Sequence, residues 1–164
     1  MITEIRRGYN VKRFHTTKRL QEETVGHHSA NVAAILLRLD PDCSRNLLVA
    51  ALVHDVPEAY TGDVPAPCKW DNPHIKEGLN ECERAYMQEY ELPWPELTEE
   101  EQKLLKVADM LELVISCVEE LNMGNSYAKT LVRNGQDYIL GLDLPEELLV
   151  LVNAMVMEAK ADVS

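Results

Sequence analysis

The sequence has few aromatic residues and no long apolar run. Among 164 residues there are one Phe, two Trp and six Tyr, so a core must be mainly aliphatic, and the 46% hydrophobic content is enough to build one. The longest apolar stretch, Ala30 to Leu37, is broken by Asn31 and is far too short to cross a bilayer. The N-terminal MITEIRRGYN lacks the apolar h-region and cleavage signature of a secretory leader. Cys43, Cys68, Cys82 and Cys117 form no C-x-x-C pair, which excludes a zinc ribbon or thioredoxin-like motif and favours reduced thiols in a cytoplasm. Repeats, low-complexity tracts and Gly/Ser linkers are also missing. The chain therefore reads as one domain over residues 1–164, soluble and cytoplasmic, with no membrane partner.

Positive charge is scarce as well. Sixteen Lys and Arg face 28 Asp and Glu, for a net charge of −12. That balance argues against general nucleic-acid binding, which relies on basic side chains neutralising phosphates. Residues 1–19 are the exception: Arg6, Arg7, Lys12, Arg13, Lys18 and Arg19 stand against Glu4 alone. Such a segment can receive a small anionic ligand. A solvated arm, or one docked on an acidic neighbouring subunit, reads equally well.

What the chain does contain is helical periodicity, without strand alternation or hairpin turns. Apolar residues from Val25 to Leu39 recur at helical spacing until Pro41. Ser44 can cap a second helix that runs toward His54. Gly62, Pro65 and Pro67 mark residues 60–72 as a loop. Further helices are expected over Pro73–Tyr90, from the Thr98–Glu101 capping box to about Met123, near Ser126–Arg133, and over Pro145–Lys160. The fold class predicted is an all-α bundle of six or seven helices.

Three polar residues fall on faces that should be apolar. His28 lines up with Val32, Ile35 and Leu39; His54 follows Leu47 and Ala51; Asp109 lies between Leu105 and Leu113. One inward histidine is usually a hydrogen-bonded core residue. A carboxylate in such a place costs several kcal/mol unless it is paired, and a cation is one of the few partners that favours it. Two histidines and a carboxylate from three helices therefore suggest a metal centre. Asp55 can join them because Pro57 ends the helix just beyond the His54-Asp55 pair. Two nitrogens and two oxygens suit a divalent transition metal, Co²⁺, Mn²⁺, Zn²⁺ or Fe²⁺, better than Ca²⁺.

The order His28, His54-Asp55, Asp109 resembles the HD-domain phosphohydrolases. VGHHSANVA, ALVHDVPEAYTGDVPAPCKW and LLKVADMLELVISCVEELNMGN resemble, more closely, the bacterial 5′-deoxynucleotidases and their short phage relatives, among them dATP triphosphohydrolases of phages with 2-aminoadenine DNA. The likeness runs from about Val11 to Asn125. It implies an HD-domain helical bundle, and a homo-oligomer, dimer or hexamer. It also implies that Glu58 handles the proton of the attacking water, that Asp63 is a second acid near the metal, and that Arg13 and Lys69 contact phosphate. Taken by themselves, Asp63 reads equally as a turn or capping residue and Lys69 as a surface lysine. Phe14 and Pro67 match positions that wall the base pocket, the first commonly Trp in relatives. Thr16 is either a small wall residue or an ordinary loop threonine. His15, His27 and His74 are read as loop or surface residues.

The leading functional expectation from this resemblance is a dATP triphosphohydrolase, converting dATP to deoxyadenosine and triphosphate in a phage with modified adenine, and so acting in the host cytoplasm. The alternative within the same chemistry is a 5′-deoxynucleotidase acting on deoxynucleoside monophosphates. A non-catalytic nucleotide-sensing module is the alternative of another class. In each case the partner is a small-molecule deoxynucleotide.

Overall fold

A computed structural model describes residues 1–161. Among them lie nine helices and no strand: α1 (Ile2–Tyr9), α2 (Val25–Leu39), α3 (Arg45–Val53), α4 (Glu58–Thr61), α5 (Ala66–Asp71), α6 (Pro73–Glu89), α7 (Glu99–Asn122), α8 (Ala128–Leu140) and α9 (Glu146–Ala161). The all-helical expectation holds, and the six segments read from periodicity are α2, α3, α6, α7, α8 and α9. Their start signals work as expected. The side chains of Thr24 and Ser44 accept the backbone N–H of His27 and Leu47, and Thr98 with Glu101 forms a reciprocal capping box. Gly124, at φ +94°, follows the end of α7.

Three short helices were not expected. The 60–72 stretch read as a loop contains the end of α4 and all of α5, because Pro65 and Pro67 sit at the start of α5, where a missing N–H costs no helical bond. The helix expected near 126–133 continues to Leu140. The basic N-terminal residues include α1, which packs on α2 and α4.

The long α7 is the centre of the main core. Helices α2, α3, α8 and α9 all pack on it, and Val32, Leu36, Leu47, Val107, Leu111, Val114 and Val118 are buried together. A second cluster, Val53, Val56, Tyr86 and Leu92, joins the end of α3 to α1 and α6. Gly8 lets α1 lie directly on the turn after α3, since a Cβ there would stand 2.5 Å from the Val56 carbonyl oxygen. No helix among the described residues is long and apolar enough to cross a membrane.

Between α1 and α2 the chain makes a strap, residues 11–24. Its ends are joined by the Arg13 N–H to the Glu23 carbonyl (3.0 Å) and the Val25 N–H to the Val11 carbonyl (2.9 Å). Its outer part is tied to α7 by Glu120, which is 1% exposed. The Glu120 carboxylate accepts the backbone N–H groups of Leu20 and Gln21, each at 2.9 Å, and the Asn125 amide at 2.5 Å, with Arg19 Nε 3.6 Å away.

Burial by itself would raise the Glu120 pKa. The hydrogen bonds from Asn125, Leu20 and Gln21 and the Arg19 charge outweigh it and hold the carboxyl below its ordinary value. Its folded-state pKa thus lies below the unfolded one, so this stabilisation is complete above the usual carboxylate range and is lost as pH falls through the folded value. Glu120→Ala should lower stability by on the order of 3 kcal/mol at neutral pH, because buried donors lose their acceptor. Thermal melts of both proteins from neutral to acid pH check this: the gap between them should narrow below about pH 4. A gap that is absent at neutral pH, or constant with pH, contradicts the assignment.

Candidate metal centre and adjoining pocket

The core periodicity of α2 buries His28 completely, at 0% exposed, facing α3 and α7. His54 is the C-terminal cap residue of α3. Pro57 has no N–H to continue the helix, and the chain tightens into turns, with the Val56 N–H donating to the Val53 carbonyl (3.1 Å) and the Glu58 N–H to the Asp55 carbonyl (3.0 Å). This break brings two consecutive side chains together. His54 Nε2 lies 3.4 Å from Asp55 Oδ2.

The four candidate ligands converge. His28 Nε2 is 3.0 Å from Asp109 Oδ1 and 3.6 Å from Asp55 Oδ2, and His54 Nε2 is 4.0 Å from Asp109 Oδ1. The His28 and His54 rings are 5.4 Å apart. Ligand atoms of His28, His54 and Asp109 all fall within 4.8 Å of one another, as those of a single ion would. Asp109 is less sealed than its place between Leu105 and Leu113 suggested: its side chain is 42% exposed, because that face of α7 opens on a pocket.

The fit to a metal rests on the imidazoles. Both Nε2 atoms are buried without a hydrogen-bond partner. Each ring is already anchored through Nδ1, His28 on Glu112 Oε2 at 2.5 Å and His54 on the Ala51 carbonyl at 2.8 Å. With Nδ1 donating, the Nε2 lone pairs point at the carboxylates of Asp55 and Asp109, the arrangement a cation requires. Burial alone would depress the His28 pKa. The adjacent carboxylates of Asp109 and Glu112 outweigh it and raise the ring to about 10.

Glu112 is the residue that sequence reasoning missed. It is 3% exposed, and its other oxygen accepts the Asn31 amide at 3.2 Å. It stands three after Asp109 on the inner side of α7, which was the available signal; its partner is 84 residues away in sequence. The strap supplies the remaining charge. Arg13 Nη1 donates to Asp55 Oδ2 (3.0 Å) and Arg13 Nε to Glu23 Oε1 (3.0 Å). Glu23, also unanticipated, is 8% exposed and faces Arg19 and the Ser116 hydroxyl too.

In front of this cluster lies a pocket of about 220 Å³. Nine of the eleven residues singled out from sequence line it: Arg13, Phe14, Thr16, Asp55, Glu58, Asp63, Pro67, Lys69 and Asp109. His28 and His54 are not part of its lining. Met110, Leu113 and Leu131 add an apolar side. Glu58, 6% exposed, has an unpartnered Oε2. Burial, with the charges of Asp55 and Asp63, pushes its carboxyl up to about 9 against the opposing Arg13 and Lys69. Asp63 accepts the Phe14 backbone N–H at 2.9 Å, so it ties the strap to the loop after α4. His15, His27 and His74 are exposed and outside the cluster, as read.

The sequence model of the 5′-deoxynucleotidase YfbR-like family matches residues 1–156. The chain is 32% identical over 139 residues to a 5′-deoxynucleotidase of Photorhabdus temperata, covering 71% of each chain. It is 30% identical, with the same coverage, to one of Yersinia pestis. Its fold is similar to that of the cyanophage S-2L HD phosphohydrolase DatZ, solved with dA and one catalytic Zn²⁺, at TM-score 0.73 and 19% identity over 98% of this chain and 96% of that one. An HD-domain phosphohydrolase of Listeria innocua is similar at TM-score 0.68 and 20% identity, over 96% and 97% of the two chains.

If Glu112 orients His28, Glu112→Gln should weaken metal affinity by about 10- to 100-fold while leaving the four candidate ligands in place. Asp109→Ala should remove stoichiometric metal and activity together. Elemental analysis and metal titration of the purified variants check both; full metal retention by Asp109→Ala contradicts the ligand assignment.

Proposed function

The chain belongs to the YfbR-like 5′-deoxynucleotidase family of HD-domain proteins, and from that membership together with the site geometry we propose that it hydrolyses the phosphoester at the 5′ oxygen of a deoxynucleotide. The phosphohydrolase class and its dependence on a divalent metal follow from the family. The observation that carries the site assignment is the pair of buried, unpartnered Nε2 atoms aimed at two carboxylates on the wall of a pocket. The family model's span, residues 1–156, supports a single HD domain.

In this reading His28, His54, Asp55 and Asp109 hold the metal, with Zn²⁺, Co²⁺, Mn²⁺ and Fe²⁺ the candidates. Such an ion supplies Lewis acidity at the phosphoryl group and lowers the pKa of water. The chain's own groups do the rest. Arg13, fixed by Glu23 and Asp55, places a permanent positive charge at the inner edge of the pocket, where developing phosphoryl charge needs it. Lys69 supplies the second cation from α5. Glu58 holds or relays a proton at its free Oε2, a site sheltered from water and without a competing hydrogen bond. Phe14, Thr16 and Pro67 wall the end of the pocket that takes the base.

The 30–32% identical relatives are 5′-deoxynucleotidases, which favours deoxynucleoside monophosphates and release of phosphate. The second reading is the dATP triphosphohydrolase, releasing triphosphate in a phage host. Its support is the structural neighbour holding dA, matched over nearly the full length of both chains.

A panel of the four dNMPs and dNTPs with each metal, products separated by chromatography, decides between them. Phosphate from dNMPs selects the first, triphosphate from dATP the second, and no turnover rejects both. Glu58→Gln should keep the metal and substrate affinity while turnover falls by about 10²- to 10⁴-fold in single-turnover assays. Loss of the metal would make Glu58 a ligand instead. Arg13→Ala should reduce kcat/KM about 10- to 150-fold, the worth of a charged hydrogen bond.

A further inference from the structure

Phe14 has a backbone conformation that a bulky residue rarely adopts, φ 55°. Such a residue persists where its surroundings over-determine it, and these places concentrate at functional sites. Here every part of Phe14 is held. Its N–H donates to Asp63 Oδ2 at 2.9 Å, and its carbonyl accepts the Thr17 N–H at 2.8 Å. Its ring has the Arg19 guanidinium 4.4 Å from the centroid, closer than Arg13 at 5.4 Å.

Arg19 is itself immobilised. Its side chain is 11% exposed, Nη2 donates to the Ser116 hydroxyl at 2.7 Å and lies 3.3 Å from Glu23 Oε2, and Nε sits 3.6 Å from Glu120 Oε1. Phe14 lines the pocket and Arg19 does not, while the Arg19 guanidinium lies over the Phe14 ring, so Arg19 meets that space through Phe14. A planar guanidinium held by Ser116 of α7 and Glu23 of the strap, with the Glu120 carboxylate nearby, offers a flat, charged backing to the ring, which an alkyl ammonium would not fully reproduce.

We propose that Arg19 is a positioning residue for substrate specificity: it backs the Phe14 ring and fixes it as the wall on which the nucleobase stacks. This rests on the reading that the base lies against Phe14. Arg19 then acts on the base end of the substrate and leaves the phosphate end alone. Its removal raises KM for whole nucleotides, spares kcat, and does not alter the affinity of a base-free sugar phosphate.

The test is steady-state kinetics of the metal-loaded full chain with dAMP and dATP. The variants are Arg19→Gln, Arg19→Lys, Phe14→Leu and Phe14→Leu with each Arg19 change, with inhibition by deoxyribose 5-phosphate measured in parallel. Arg19→Gln should raise KM about 2- to 30-fold, the range of a cation–π contact, with kcat within about twofold. Arg19→Lys should recover part of that loss. In the Phe14→Leu background, either Arg19 change should move KM by less than about twofold, because the contact is already gone. Inhibition by deoxyribose 5-phosphate should be unchanged throughout.

An unchanged KM in Arg19→Gln overturns the proposal. So does an equal loss in the Phe14→Leu background, or an equal loss of deoxyribose 5-phosphate affinity, either of which would make Arg19 a general support of the strap. If Arg19→Gln does not fold, the Arg19→Lys cycle gives the same decision. No turnover of any deoxynucleotide by the unaltered chain would overturn the functional reading, and this inference with it.

Discussion

His28 is buried with its two ring nitrogens facing acidic groups on opposite sides. Nδ1 is held by Glu112, and Nε2 faces the Asp55 and Asp109 carboxylates. An imidazole in an apolar core must satisfy both nitrogens or lose the solvation it had in water. That requirement ties α2 to α7 through Glu112 and Asp109, and to the turn after α3 through Asp55. Three helices that share an aliphatic core are thus also joined at one polar point, and the pocket opens there. A bound cation would turn a costly cluster of charges into a favourable one, since His54 Nε2, like His28 Nε2, is buried without a partner.

The strap extends the same logic outward. Glu23 receives Arg13, Arg19 and Ser116, and Glu120 receives the backbone of Leu20 and Gln21. Paired, hydrogen-bonded charges of this kind are costly to break, and they hold a segment without regular secondary structure in one place. Through Glu23 the two arginines are held together: one reaches the candidate metal ligands, the other the aromatic ring beside them. The basic patch seen in residues 1–19 is therefore not uniform. Arg13 and Arg19 are turned inward, while Arg7 and Lys12 remain at the surface in ion pairs with Glu4 and Glu22.

Family membership and geometry carry different parts of the functional argument. Membership supplies the reaction class, because a model spanning residues 1–156 and relatives at about a third identity share more than a fold. Geometry supplies which side chains of this chain share one pocket: Arg13, Asp55, Glu58, Asp63, Lys69 and Asp109 stand in its lining together with Phe14, Thr16 and Pro67.

What the sequence determined by itself were features that depend on near neighbours in the chain. The caps at Thr24, Ser44 and Thr98 each act within three residues, and helical periodicity identified the inward faces carrying His28, His54 and Asp109. Around Pro65 and Pro67 the sequence suggests a loop where the structure forms α5, because proline both interrupts helices and starts them, and α5 is packed on α6. Tertiary structure alone decided the partners of the buried charges. Periodicity can say that a side chain points inward, but not what it meets. The partners of His28, Glu120 and Asp63 lie 84, about 100 and 49 residues away. Glu112, Glu23 and Arg19 looked like ordinary charged residues for that reason. The left-handed backbone of Phe14 was equally hidden, since the Asp63 carboxylate that accepts its N–H lies 49 residues away.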